Sequence, residues 1–265
     1  MGFDLQQSRV LVTGASSGIG AGFAESFARA GATVGICARR ADRLEEVAGR
    51  ARDLGAEVHQ WVTDLADFEQ VDRLTRDALA SMGGVDILVN NAGIPKRRHV
   101  TVTDYDTVER VTRINYLSPI RLTLALLPQM LERASGRIIN VSSVAATLSS
   151  PGETAYAASK AALAVFSEVM NVDLWDSGVK ILVVYPGIVD TELFSIPDND
   201  PLTAPVEPIT VAECVASVLD ALQQDAVEVY TPAHFKDFAV AKANDIPGFL
   251  AGTAEFARQQ RSAAS

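Results

Sequence analysis

The sequence predicts an α/β fold, a buried parallel sheet with helices on both faces, and three observations predict it. Short β-rich runs alternate with helical patterns from residue 9 to residue 230. Several of those runs are continuously apolar (V-L-V, I-L-V, I-L-V-V), which is the pattern of strands covered on both faces. Glycines stand at many helix exits, as at Gly31, Gly55, Gly83 and Gly178. A β-α-β-α alternation of this length implies right-handed crossovers that place helices on either side of the sheet.

Taken in order, R-V-L-V-T at Arg9–Thr13 is the first strand, and T-G-A-S-S-G-I-G leads from it into a helix over residues 19–30. T-V-G-I-C-A at Thr33–Ala38 is the second strand, followed by a helix over 41–54 that exits at Gly55. The third strand, 57–63, precedes a helix over 68–81, and the fourth, D-I-L-V-N at 86–90, precedes one long helical segment over 104–133. G-R-I-I-N-V-S at 136–142 and K-I-L-V-V-Y at 180–185 flank a helix over 155–176, and a last helix over 211–224 leads to a seventh strand at 227–230. Two stretches break the rhythm. Residues 190–208, rich in proline and acidic side chains, are too irregular for an ordinary turn and read as a substrate loop that closes over a bound molecule. Residues 231–265 read as a C-terminal extension of short helical pieces around Phe235, Phe238, Phe249 and Phe256, with R-S-A-A-S at the end disordered. No repeat, low-complexity tract or linker divides the chain, so residues 1–265 read as a single domain.

Composition narrows the function classes. Of 265 residues, 48% are hydrophobic and 21% charged, enough for a sizeable core, and the formal charge of −10 argues against nucleic acid or anionic membrane as a partner. Cys37 and Cys214 match no metal or disulfide spacing, and His59, His99 and His234 are scattered, so no metal site is expected. The N-terminus lacks the apolar core of a signal peptide and no apolar run is long enough to span a membrane, so the expected setting is cytoplasmic.

The first loop carries glycines at 14, 18 and 20, spaced G-x-x-x-G-x-G between a strand and a helix. Small residues there let backbone N–H groups approach a pyrophosphate at the positive end of a helix. The end of the second strand distinguishes the dinucleotides. An NAD site carries a carboxylate there for the ribose hydroxyls, whereas this chain has C-A-R-R, with Arg39 and Arg40. A guanidinium holds a 2′-phosphate that a carboxylate would repel, so NADP(H) is expected over NAD(H), with Ser16 adding a hydroxyl.

These residues resemble the short-chain dehydrogenases/reductases, single-domain branch. The resemblance rests on T-G-A-S-S-G-I-G at 13–20, D-L at 64–65, N-N-A-G at 90–93, Asn115, Ser143, Y-A-A-S-K at 156–160 and P-G-I-V-D-T at 186–191, in that family's order. It implies a doubly wound, three-layer Rossmann fold with about seven parallel strands in order 3-2-1-4-5-6-7, and a homotetramer or homodimer. It implies nucleotide contacts from Gly14, Ser16, Ser17, Gly18, Ile19 and Gly20, from Asp64 (at the adenine) and Leu65, and from Asn91, Ala92 and Gly93. Tyr156, Lys160, Pro186 and Gly187 would join them, and Ile188 and Thr191 would meet the nicotinamide carboxamide.

Tyr156 and Lys160 lie one helical turn apart, on one face. In the family the phenol exchanges a proton with the substrate oxygen as hydride moves, and a nearby ammonium together with the positive nicotinamide of the oxidised cofactor lowers its pKa from about 10. By the same resemblance Lys160 also binds the nicotinamide ribose, Ser143 holds the substrate oxygen with Ser142 its rival, and Asn115 places a water for proton relay. The pocket wall is expected from Ile94, Pro95, Val144, Ala145, Tyr185, Leu193, Phe194 and Ile196, fitting a largely apolar ketone or alcohol. Lys96–His99, K-R-R-H, reads as a solvated loop, or else as a dock for an anionic carrier. The resulting expectation is an NADP-dependent carbonyl reductase or alcohol dehydrogenase. An epimerase or dehydratase on the same fold, and a non-enzymatic cofactor sensor, are the rivals.

Overall fold

The computed structural model describes residues 3–200 and 207–263, with side chains to residue 260. The continuous apolar runs form strands β1 (Arg9–Thr13), β2 (Thr33–Ala38), β3 (Val58–Val62), β4 (Ile87–Asn90), β5 (Gly136–Val141), β6 (Val179–Pro186) and β7 (Glu228–Thr231). All pair in parallel as one sheet in the order β3-β2-β1-β4-β5-β6-β7. The order reverses between β1 and β4, which opens a crevice beyond the carboxyl ends of these two strands.

Helices cover both faces because each strand presents apolar side chains to both. On one face α1 (Gly18–Arg29), α2 (Ala41–Asp53) and α8 (Val211–Gln223) pack Phe23, Phe27, Leu44 and Val218 against Val10, Val12, Ile36 and Ile139. On the other, α3 (Phe68–Met82), α5 (Ser118–Glu132) and α7 (Thr154–Asp173) bury Leu74, Leu122, Leu126 and Met170 against Leu11, Leu88 and Ile181. Each fully buried side chain of this kind contributes roughly 1.5–3 kcal/mol. Local signals set the helix ends: the Asp67 carboxylate accepts the Glu69 and Gln70 N–H groups at the start of α3, and Thr210 and Glu213 form a reciprocal capping box on α8.

Three stretches differ from the sequence expectation. The helical segment over 104–133 is not continuous: α4 (Tyr105–Thr112) passes through a π-helical turn, Arg113–Leu117, into α5. Pro119 sits in the first turn of α5, where its missing N–H costs little, and the wide turn turns Asn115 inward. A short helix that the sequence pattern leaves unmarked, α6 (Ala145–Leu148), follows β5. The C-terminal pieces are two helices, α9 (Phe235–Asn244) and the 18-residue α10 (Ile246–Ala263). Phe235 packs α9 onto Tyr185 and Tyr230, and Lys242 Nζ donates to the Thr147 carbonyl at 2.6 Å, tying α9 to α6. Residues 261–263, expected to be disordered, instead close α10, while 201–206 of the expected substrate loop and 264–265 of the tail lie outside the described residues. No helix among the described residues is long and apolar enough to cross a membrane.

Candidate functional site

The loop after β1 turns tightly because two of its glycines leave no room for a side chain. Gly14 has φ +66°, and a Cβ there would stand 2.7 Å from Ala92 Cα; a Cβ on Gly20 would stand 2.4 Å from the Gly14 carbonyl oxygen. Thr13 Oγ1 accepts the N–H groups of Asn91 and Ala92 at 3.0 and 3.1 Å, and Asn91 Nδ2 donates to the Thr13 carbonyl at 2.9 Å. The two loops at the crevice are thereby locked together. Asn90 turns the other way and donates to Thr123 Oγ1 and Asn140 Oδ1, in a buried polar chain that continues to Ser167.

Above these loops lies a cavity of about 600 Å³. Gly14, Ser16, Ser17, Gly18, Ile19, Arg39 and Arg40 line one end of it, and Asn91, Gly93, Pro186, Gly187, Ile188 and Thr191 line its middle. Gly20 and Ala92 do not line it and instead brace the loop from behind. Asp64 and Leu65 do not line it either: the Asp64 carboxylate accepts the Ala66 N–H at 2.9 Å, and Leu65 is packed in the core. Arg40 donates to Ser17 Oγ at 2.8 Å and Ser16 Oγ at 3.2 Å and pairs with Glu192 at 2.8 Å. Glu192, which sequence reasoning missed, is held below the usual carboxylate range chiefly by that hydrogen bond from Arg40. Arg39, exposed on the same rim, has no hydrogen bond or ion pair among the described residues.

At the far end α7 presents Tyr156 and Lys160 to the cavity, beside Ser143 from the end of β5. Ser143 lies close enough to the Tyr156 phenol to lower the cost of ionising it. Ser143 Oγ also accepts the Ala145 N–H at 3.1 Å, whereas Ser142 Oγ donates to the Lys160 carbonyl at 2.9 Å. The Lys160 ammonium donates to the Val141 carbonyl at 2.7 Å and sits 5.9 Å from the centre of the Tyr156 ring. Burial pushes it down to about 8. The Tyr156 phenol, by contrast, stands above its ordinary value: burial is the main cause, the Glu153 carboxylate adds to it, and the Ser143 hydroxyl and the Arg97 charge only partly offset it. The protein's own side chains thus leave the phenol above its ordinary value, because burial outweighs the favourable contributions of Ser143 and Arg97; the expected lowering also counts on the positive nicotinamide of the oxidised cofactor. Asn115 is fully buried; its Oδ1 accepts the Ile94 N–H at 2.9 Å, and its Nδ2 donates to the Ile94 carbonyl at 3.0 Å and to Ser159 Oγ at 3.1 Å.

The wall is mostly as expected, from Ile94, Pro95, Val144, Ala145, Leu193, Phe194 and Ile196, with Leu148 and Phe235 added. Tyr185 is a correction. In register with Tyr230 across β6 and β7, it stacks on that ring with centres 4.5 Å apart, its hydroxyl donates to Glu168 at 3.4 Å, and it does not face the cavity. The basic cluster is a correction as well. Arg97 is only 4% exposed, and Lys96 and Arg98 both pair with Asp198. Their partners lie a hundred residues away in sequence, so composition alone reads the cluster as solvated.

A family model described as short chain dehydrogenase matches residues 8–200. A short chain dehydrogenase of Pseudocercospora fijiensis is 39% identical over 77% of this chain and 67% of its own length. A fatty acyl-CoA reductase of Acinetobacter baylyi is 38% identical over 70% of this chain and 63% of its own. The chain thus spans about two thirds or less of the curated relatives it matches. Among solved structures, a short-chain dehydrogenase from Sphingobium yanoikuyae in complex with NADPH superimposes with a TM-score of 0.82 at 30% identity, covering 92% of this chain and 95% of that one. One from Burkholderia phymatum in complex with NAD reaches 0.85 at 24% identity over the same shares, a likeness of fold alone. Sheet order, loop motif and family match agree, and the chain belongs to the short-chain dehydrogenase family of oxidoreductases.

Proposed function

We propose that this chain is an NADP(H)-dependent oxidoreductase that interconverts a ketone or aldehyde and an alcohol, with Tyr156 as general acid and base. The observation that carries the reading is the meeting of Tyr156, Ser143 and Lys160 on one cavity, with the Lys160 ammonium 5.9 Å from the centre of the Tyr156 ring, one turn along α7.

The residues present fit a dinucleotide. The first turn of α1 holds no acidic residue and the Ser17 side chain caps none of its N–H groups, so these are available to an anion beside the side-chain-free Gly14. Arg39 and Arg40 would take a 2′-phosphate with Ser16, and the NADPH-bound Sphingobium relative supports that preference. Ile188 and Thr191 would face the carboxamide, and Lys160 the ribose. When bound, the nicotinamide supplies or accepts the hydride. The chain's own part is the proton and the placement of the substrate. Ser143 fixes the substrate oxygen within reach of Tyr156, whose phenol gives it a proton on reduction and takes one on oxidation. Lys160, positive below about pH 8, favours the phenolate left behind. Asn115 holds the Ile94 backbone in place rather than presenting free donors to the cavity, since both of its N–H bonds are satisfied within the protein. The apolar wall fits a largely apolar substrate, and a reducing cytoplasmic setting suits the buried, unbridged Cys37 and Cys214.

Tyr156→Phe removes the exchangeable proton and almost no volume. Followed at the nicotinamide absorbance band against a panel of ketones and alcohols, it should fold, bind NADPH and lose at least about a hundredfold in kcat. Substantial remaining turnover would overturn the assignment.

A further inference from the structure

Arg97 is a buried cation that makes no ion pair among the described residues. Its Nε donates to the Asp200 carbonyl at 2.9 Å, one terminal nitrogen donates to the Phe194 carbonyl at 3.1 Å, and its plane lies over the Phe194 ring at 5.6 Å. Both hydrogen-bond acceptors are neutral. Its other terminal nitrogen, Nη1, is buried with no hydrogen-bond partner among the described residues, and Arg97 lines the cavity that holds Tyr156. A guanidinium taken out of water with an unused donor is costly unless something charged completes it.

Its surroundings favour an anion. The titratable side chains at this end of the cavity are Arg97, Lys160, Tyr156 and Glu153. Glu153, 9% exposed, lies within electrostatic reach of Arg97 without an ion pair, and burial raises its carboxyl above the usual range, which weakens it as a counter-charge. Two cations therefore face one reluctant carboxyl. The rest of the wall, from Leu148, Leu193, Phe194 and Ile196, is apolar.

Resting on the oxidoreductase reading, we propose that Arg97 is the anion subsite of the substrate pocket and that the substrate is an oxo acid or hydroxy acid: an apolar chain bearing a carboxylate that the Arg97 guanidinium receives while the carbonyl lies at Tyr156. This assignment differs from carrier docking by the whole K-R-R-H cluster. Lys96 and Arg98 are committed to Asp198, and only Arg97 faces the cavity.

The test uses the full chain and three probes of equal reach: 4-oxo-octanoate, its methyl ester and 4-octanone. Calorimetric titration should show the acid binding wild type at least about tenfold more tightly than the ester. Arg97→Met should abolish that preference while changing ester and ketone affinity by less than about threefold, and Arg97→Lys, which keeps the charge but loses the fork, should retain part of it. Equal affinity for acid and ester in wild type would overturn the subsite. So would an Arg97→Met variant in which all three probes weaken alike, as expected of a residue that only holds the 194–200 segment. Turnover with NADPH and NADH is read in parallel. Preserved acid preference with no turnover of any probe would keep the subsite and instead sink the oxidoreductase reading.

Discussion

At the scale of single residues, the site is a balance of buried charges around one phenol. Glu153 lies three residues before Tyr156, and its negative charge raises the energy of the phenolate. Glu153→Gln removes that charge and keeps the shape, so the phenol should ionise at lower pH. In a pH profile of kcat for alcohol oxidation the rising limb should move toward acid, and an unmoved limb would show that the two groups do not interact. Lys160 gives a second prediction, in stability. Its ammonium is pushed from 10.5 to about 8 by burial. Below pH 8 it is protonated in both folded and unfolded chains, and folding bears the full cost of burying the charge. Between 8 and 10.5 the folded protein has released a proton that the unfolded chain still holds, so stability rises with pH and the cost is gone above 10.5. Lys160→Met should therefore be more stable than wild type at pH 7. After allowance for the Val141 carbonyl left unpaired, the gain is on the order of 1 kcal/mol, and it should shrink to nothing above the upper limit. Thermal melts from pH 7 to pH 11 would check it; a destabilised variant at pH 7 would contradict it.

At the scale of elements, the described part of the segment after β6 is held by cations at both ends. Arg40 and Arg43 take Glu192 at its start, and Lys96, Arg97 and Arg98 hold Asp198, Asn199 and Asp200 further on. The first of these contacts bears on the cofactor. Glu192 sits on the same guanidinium, beside Ser16 and Ser17, that is proposed to hold a 2′-phosphate. Two anions compete there for one cation, so Glu192→Gln should tighten NADPH by about two- to fivefold and leave NADH unchanged, the modest size reflecting an exposed pair. Arg39→Asp should shift preference toward NADH. Fluorescence titration with the two reduced cofactors separates these outcomes, and equal effects on both would remove the 2′-phosphate assignment. The helices behave in kind. The π-helical turn between α4 and α5 puts Asn115 against the Ile94 backbone, a placement that a straight helix over 104–133 would rotate away.

At the scale of the whole molecule, two long helices leave apolar side chains in water. Leu117, Leu124 and Leu131 recur every seven residues on the π-helical turn and α5, and Val165, Val169 and Val172 line α7, with Leu124 54% and Val172 72% exposed. A stripe of this kind on each helix is suited to burial against a second copy, and we propose a homodimer or homotetramer on that basis. Sedimentation should show species larger than 28.2 kDa, and replacing Leu124 and Val169 by Glu should yield monomer; a wild type that sediments only as monomer would refute it. Much of the rest was legible in the chain itself. The strands β1 and β2 fall at the residues their apolar runs mark, and the sheet order follows from the motif-bearing resemblance, because continuous apolar runs and loop glycines are local properties. So was the meeting of Tyr156 with Lys160, which needs only one helical turn. What local pattern could not reveal was which charges find each other across the fold. Tertiary packing alone turned Tyr185 onto Tyr230, committed Asn115 to the backbone, buried Arg97 against a segment a hundred residues away and set Glu192 on Arg40. The physical reason is that hydrophobic periodicity is written in neighbouring residues, whereas the energy of a buried charge depends on every group folded around it.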